Sequence, residues 1–269
     1  MKQIVEGYFL KYGNAIWAVK GCFHPDGYAV ALPRMYNGIK IKRLNDALEL
    51  AKKNFPHLIR YVKELGFEVP LVPLKDSEIL DPFSVSVNDN ILLEFMKYFD
   101  EKLGVTGSYL YQRKGKDLDF LSFNKSHYLT LKILRERNIT KPLNFVEESE
   151  VESLDYNSFK ILKNKRVLEG IFIDKQYTFK IVECEDFGSV IDSRSFKGRV
   201  KIMKSVKPYS IPVKYLGKDE NGNEYILTSF RIRFTEIPES TVLYINGSVL
   251  IRDNFLDLDL DIAKEVHLL

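Results

Sequence analysis

The sequence predicts an α+β protein in three parts. An N-terminal β-rich α+β unit covers residues 1–75, a mixed helix-and-strand core 76–190, and a small C-terminal β-barrel-like domain 191–269. Three observations predict it. Short β-branched and aromatic runs, punctuated by Gly, Asn and Pro, dominate both ends of the chain. Between them lie segments whose apolar residues recur at helical spacing. The length of 269 residues, 45% hydrophobic and 29% charged, suits about two or three ordinary globular domains.

In the first part, "QIVEGYFLKYG", "AIWAVKGCF" and "GYAVALPRMY" read as strands separated by Gly13-Asn14 and by Pro25-Asp26-Gly27. In the second of these turns Pro fixes φ and Gly supplies a positive φ. The next segment, "LNDALELAKKNFPHLIRYVKELG", places Leu44, Leu48 and Ala51 at helical spacing. Asn45 or Asp46 lies near its cap, Gly66 stops it, and Pro56 divides it into two helices or starts a new one. The proline-bearing "VPLVPLKDSEILDPF" is a connection.

In the core, "NDNILLEFMKYFDEKLG" sets Ile91, Leu92, Phe95, Met96, Phe99 and Leu103 on one helical stripe that ends at Gly104. "KSHYLTLKILRERN" is a second amphipathic helix, residues 148–168 a third, and "YTFKIVEC" a strand. From about Ser195 the pattern becomes all-β, including "EYILTSFRIRFTEI" and "FLDLDLDI", and the Asn-Gly of "KDENGNEY" marks a hairpin. Five strands in so short a span suit a small barrel or a strongly twisted sheet.

Composition narrows the function classes. No apolar run approaches the ~20 residues of a membrane-spanning helix, and the N-terminus lacks the apolar core of a signal peptide, so a cytoplasmic protein with no membrane partner is expected. Cys22 and Cys184 are too few for a disulfide framework or a zinc site and are expected as reduced, buried thiols. A net charge of +3 restricts any nucleic-acid surface to a local patch. Abundant Lys, Glu and Ile fits a thermophile's composition.

The stretch that carries chemistry is "GSYLYQRKGKDLDF", residues 107–120. On a strand, Asp117 and Asp119 point the same way while Leu118 and Phe120 point into the core. Two neighbouring carboxylates repel, and a hard divalent cation offsets the repulsion. Mg²⁺ takes one or two carboxylates together with water and phosphate oxygens, and a pair of ions ~3.5–4 Å apart stabilises in-line phosphoryl displacement. Gly107 lets a backbone approach phosphate, and Ser108 adds a hydroxyl donor. Arg113, Lys114 and Lys116 lie between the two halves as counter-charge for a triphosphate.

"GVTGSYLYQRKGKDLDFLSF" resembles the hG[GS]…Dx[DE] motif of the DNA polymerase β-type nucleotidyltransferase superfamily. The N-terminal "AVKGCFHPDGYAVALPR", with Lys20-Gly21, His24-Pro25 and Pro33-Arg34, is similar to an archaeal branch of predicted nucleotidyltransferases. The resemblance implies a nucleotidyltransferase (polymerase β-like) core and Mg²⁺- or Mn²⁺-dependent transfer of a nucleoside monophosphate from an NTP to a hydroxyl of RNA, protein or a small molecule. It implies that Gly107 and Ser108, with Arg113 and Lys116, bind nucleotide, and that Asp117 and Asp119 are the catalytic metal ligands. Many superfamily members carry a third acid on a later strand; here Lys180 stands near that place, and Glu183 or Asp174 is the candidate substitute. Without it, a catalytically inactive nucleotide- or nucleic-acid-binding protein is the alternative.

Other motifs weigh less. Asp257, Asp259 and Asp261 alternate equally well but lack a preceding Gly-Ser, and they read as the polar face of a half-exposed strand. Gly188-Ser189 and Gly247-Ser248 lack a following Asp-x-Asp. His24 reads as a turn or packing residue, and His57, His127 and His267 are scattered. Lys197, Arg199, Lys201, Lys204 and Lys207, with Arg231 and Arg233, interleave with Tyr209, Tyr215, Phe230 and Phe234. That pattern suits either a solvated charged face over an aromatic core or a groove that follows a nucleic-acid backbone and stacks bases, with Lys201, Arg231 and Arg233 as its cations.

Overall fold

The structure is a computed structural model that describes residues 3–269. The chain forms two compact units. One takes in the chain as far as Arg60, Val69–Leu143 and Arg166–Glu183; the other takes in Tyr61–Glu68, Asn144–Lys165 and Cys184–Leu269.

The first unit holds one whole sheet and most of another, whose residues within Tyr61–Glu68 belong to the second unit. Strands β1 (Phe9–Tyr12), β2 (Ala15–Val19), β3 (Tyr28–Tyr36), β4 (Ile39–Lys40), β5 (Ile59–Val62), β6 (Phe67–Pro73) and β7 (Glu78–Leu80) form a sheet with path β5-β6-β3-β2-β1-β7 and β4 on β3. Gly27 has φ +80°, the turn conformation its Pro-Asp-Gly sequence calls for. Helix α1 (Leu44–Asn54) opens with Asp46 and closes with Lys52 and Lys53, charges that complement its dipole. It buries Ala47 against Leu32 and Ile41. Pro56 forces Phe55 out of the helical region, to φ −134°, and a 3-10 turn leads into β5 instead of a second helix.

The second sheet of this unit comprises β8 (Gly104–Val105), β9 (Leu118–Ser122), β10 (Thr140–Lys141), β11 (Glu169–Phe172) and β12 (Lys175–Ile181), in the order β10-β11-β12-β9-β8. Strand β12 runs parallel to β9, with Thr178 opposite Asp119 and Lys180 opposite Leu121. Helix α2 (Asn90–Met96) is capped by Asp89, whose carboxylate accepts from the Ile91 and Leu92 amides at 3.0 and 3.1 Å. The predicted continuation to Leu103 is absent because the next amides bond three residues back, which tightens and ends the helix. Its apolar stripe is buried all the same. Phe95 stacks on Phe120 at 4.8 Å and Phe99 on Phe179 at 5.1 Å, covering one face of β9 and β12. Helices α3 (Gly107–Gln112) and α4 (His127–Glu136) flank β9 in sequence.

The second unit holds α5 (Tyr156–Lys165) and six strands: β13 (Val190–Lys207), β14 (Val213–Asp219), β15 (Glu224–Ser229), β16 (Val242–Arg252), β17 (Leu256–Asp259) and β18 (Glu265–Leu268). Their path is β13-β14-β15-β17-β16-β18. The long β13 also pairs with β16, so the path closes on itself around Val200, Tyr215, Leu227, Phe234 and Leu258. Within this unit α5 packs Phe159 and Leu162 into the same core.

Several expectations are corrected. Among the described residues the structure is mostly β, 40% strand and 21% helix in three sheets, and no nucleotidyltransferase-like α/β core is evident, so the predicted α+β class does not hold. The physical reason lies in the helices: α2 spans only seven residues and α3 six, and the region 148–168 forms one ten-residue helix after a 3-10 turn. "LDLDLDI" is a half-exposed face only in part: Asp259 and Asp261 are half-buried, but Asp257 is not on an exposed edge. Strand β17 is central, parallel to β15 and antiparallel to β16, and Asp257 is wholly buried. The Asp257 carboxylate accepts from the Arg252 guanidinium at 2.7 Å and the Thr228 hydroxyl at 2.6 Å. "FRIRFTEI" leaves the strand after Ser229, because the Asp261 carboxylate accepts from the Phe230 amide at 2.7 Å and bends the chain into a 3-10 turn. Cys22 and Cys184 are both disulfide-bonded, not reduced.

Candidate functional site

The site is built where α3 meets β9 within the first unit. Thr106 donates its backbone N–H to the Asp119 carbonyl at 2.9 Å, which fixes the start of α3 beside the middle of β9. Gly107 then adopts φ +61°. A Cβ added there would lie 1.8 Å from Asp119 Oδ2, closer than any side chain tolerates. Only glycine fits both the backbone conformation and the approach of the carboxylate. After α3, Arg113 takes a left-handed conformation with φ 58°, and the loop folds back. At Gly115 an added Cβ would stand 3.0 Å from Ser108 Oγ and 3.2 Å from the Asp117 carbonyl. The loop thus carries Asp117 back past Ser108, and the Gly-Ser and Asp-x-Asp halves of the motif come together.

Alternation along β9 separates two environments. Leu118 and Phe120 are buried, whereas Asp117 is exposed and Asp119 half-buried on the opposite face. On that face, Leu121 is covered by Gly7, where an added Cβ would meet its side chain at 3.1 Å. Glu6, next to Gly7, is buried and accepts from Lys180 Nζ at 2.7 Å. Lys20 lies 3.5 Å from Glu6, and the Gly21 amide donates to the other Glu6 oxygen at 3.2 Å. Burial alone would push the Glu6 carboxyl up, but Lys180 and Lys20 outweigh it and hold the pKa at about 2.

Burial raises the Asp119 carboxyl above its ordinary value; Lys180 opposes the rise, Asp117 adds to it, and Arg34 and Lys40 oppose it more weakly. A desolvated carboxyl beside a second carboxylate is the condition a divalent cation relieves. Asp117, Asp119 and the Ser108 hydroxyl supply hard oxygen donors of the kind Mg²⁺ or Mn²⁺ takes together with water and phosphate oxygens. The residues therefore fit such an ion. The further sheet of this unit reaches α3 through Phe9, whose ring lies 5.1 Å from that of Tyr111, and through Met35, which accepts from Gln112 at 3.7 Å. These contacts bring Arg34, beside Met35, to the same region.

The third acid is not assembled. Among the described residues, no group of three His, Cys, Asp or Glu side chains is placed to hold a metal. Asp174 is exposed in the turn before β12, and Glu183 is exposed beyond its end. At 3.3 Å per residue they lie roughly 13 and 16 Å along the chain from Thr178, the residue opposite Asp119. Thr178 occupies the facing position, and Lys180, opposite Leu121, follows it by two residues on the same face of the sheet. Arg113 and Lys116 are exposed on the loop between the two halves.

The C-terminal basic residues separate. Lys201 is exposed on β13, opposite Lys218 of β14. Arg231 and Arg233 do not line a groove: both pair with Glu152, Arg233 at 3.3 Å, and the Arg233 guanidinium stacks on Phe159 at 5.0 Å. Tyr215 and Phe234 are fully buried and have no face for a base. Lys197, Arg199, Lys201 and Lys204 remain as an exposed row on β13. His24 accepts from the Val30 amide at 3.2 Å, and burial lowers its pKa to about 4, so it is a neutral packing group. Glu6 is not singled out by the sequence pattern; its one signal is an acid in the apolar "QIVEGYF", next to the glycine that covers β9. No family model matches the chain, and neither a curated protein nor a solved structure matches it.

Proposed function

We propose that the protein binds an NTP at Gly107, Ser108, Asp117 and Asp119 with Mg²⁺ or Mn²⁺, and transfers the nucleoside monophosphate to a hydroxyl acceptor. The acceptor oxygen bonds to the α-phosphorus, the bond from that phosphorus to the bridging oxygen breaks, pyrophosphate leaves, and the acceptor's proton passes to water. The bound ion supplies charge neutralisation on the phosphate oxygens. Asp117 and Asp119 would hold and orient it, Ser108 would donate its hydroxyl to phosphate, and Gly107, having no side chain, leaves the space that the Asp119 carboxylate fills. Arg113 and Lys116 add counter-charge from the loop. The observation that carries the reading is the fit of Gly107 to Asp119, where an added Cβ would stand 1.8 Å from the carboxylate oxygen.

Acceptors of the RNA class are favoured by the exposed cationic row on β13, which matches a phosphate backbone. No helix of the described residues is long and apolar enough to cross a membrane. The reading places the protein in the cytoplasm with its NTP; a disulfide persists there in hyperthermophiles, in keeping with the composition.

A second reading, nucleotide or nucleic-acid binding without transfer, is favoured by Lys180, since an ammonium paired to Glu6 cannot take the acceptor's proton. The test is incubation with each α-labelled NTP, Mg²⁺ or Mn²⁺ and total RNA, beside an Asp117→Ala, Asp119→Ala double variant. Acid-stable label transferred by the wild type alone supports transfer. Metal-dependent nucleotide binding without label supports the second reading. Activity indifferent to both aspartates defeats both.

A further inference from the structure

Resting on the nucleotide-binding reading, we infer that this site works with one divalent ion and not two, the ammonium of Lys180 standing in the second ion's place against the nucleotide's phosphates. Two ions ~3.5–4 Å apart need carboxylates to share between them and a further ligand for the second. Among the described residues no third His, Cys, Asp or Glu is grouped with Asp117 and Asp119 to hold a metal, and the nearby carboxylate of Glu6 is taken up by Lys180 and Lys20. Lys180 shares their face, since it follows Thr178 by two residues on β12 and Thr178 is opposite Asp119.

The ammonium is also held in position. Lys180 Nζ lies 2.7 Å from Glu6 Oε1, and Glu6 is fixed by the Gly21 amide at 3.2 Å and by burial under the first strands of the unit. Lys180 itself is about a quarter exposed, 26%, so its remaining N–H groups can reach an anion in the site. A fixed positive charge beside Asp119 repels a second cation and attracts phosphate oxygen. It does in part what that cation would do, without a metal ligand set. Glu6 is therefore a positioning residue, and Lys180 a binding residue for the triphosphate.

The test counts metal. Mn²⁺ is titrated into the full chain with the α,β-methylene analogues of ATP, GTP, CTP and UTP, and bound ion is read from the loss of the free-Mn²⁺ electron paramagnetic resonance signal. One ion per chain in the wild type and two in Lys180→Glu is the expected result. Two in the wild type overturns the inference and leaves nucleotide binding standing; neither ion nor analogue bound overturns the underlying reading. A folded Lys180→Glu that still binds one ion removes Lys180 from the role. Should Lys180→Glu not fold, Lys180→Met serves: the metal count stays at one and analogue affinity falls about tenfold or more. Unchanged affinity in that variant overturns the inference.

Discussion

Substituting Gly107 by Ala tests the geometry on which the site depends. The added Cβ would stand 1.8 Å from Asp119 Oδ2, 2.5 Å from its Cγ and 2.8 Å from its Cβ. Ordinary contact begins at 3.4 Å, so the carboxylate oxygen must retreat by about 1.6 Å. The backbone adds its own cost, since a non-glycine residue at φ +61° loses about 1–2 kcal/mol. Gly27→Ala separates the two effects, because Gly27 has φ +80° and nothing within 4 Å of its added Cβ. Urea denaturation should therefore show Gly27→Ala losing about 1–2 kcal/mol, and Gly107→Ala losing more. A displacement of about 1 Å at a reacting centre costs on the order of 100-fold, so metal-dependent nucleotide binding and transfer should fall by about that factor in Gly107→Ala alone. Equal binding and equal stability in the two variants would refute the close approach of Gly107 and Asp119.

Two further outcomes follow from the charges and a third from the disulfide-bonded cysteines. Glu6, lowered from 4.5 to about 2, contributes about 3 kcal/mol that is fully present above pH 4.5 and lost as pH falls towards 2. Glu6→Gln should be less stable at pH 7 by that order and should lack the acid-dependent loss; an unchanged pH profile in denaturation would contradict the pairing. Asp259 has its pKa raised well above 3.8 by burial and by Asp261 and Asp257, so its ionisation destabilises the fold as pH rises. Asp259→Asn should raise the melting temperature at pH 8 and have little effect below pH 3.8; a destabilised variant at pH 8 would show that the charge is accommodated. Iodoacetamide should label neither cysteine in denatured, unreduced protein and both after reduction, read by intact mass; labelling before reduction would restore the free thiols.

Local pattern made part of this molecule legible. The period-2 alternation of "DLDFLSF" placed Asp117 and Asp119 opposite Leu118 and Phe120, because side-chain direction on a strand depends only on parity. Pro25-Asp26-Gly27 told of a turn because Pro and Gly restrict φ locally. Helix length was not legible in the same way: α2 stops at Met96 although its apolar stripe runs on, because backbone pairing three residues back competes with the helix, and a stripe does not encode that choice. Position within a sheet was hidden too. "LDLDLDI" alternates like an edge strand, yet β17 is flanked on both sides, and the burial of Asp257 depends on Arg252 and Thr228 from neighbouring strands. Arg231 and Arg233 looked available because Glu152, which neutralises them, lies some eighty residues away in sequence. The Glu6–Lys180 pair, 174 residues apart, was beyond any local pattern.

The account depends most on an ion and a nucleotide meeting between the Gly-Ser and Asp-x-Asp halves. Anomalous scattering from Mn²⁺, in crystals grown with an α,β-methylene NTP, reads that directly. A peak bridging the carboxylates of Asp117 and Asp119, with phosphate oxygens against Gly107 and Ser108, is the predicted result. A nucleotide bound elsewhere, or Mn²⁺ and nucleotide at saturating concentration with no peak at these aspartates, would contradict it.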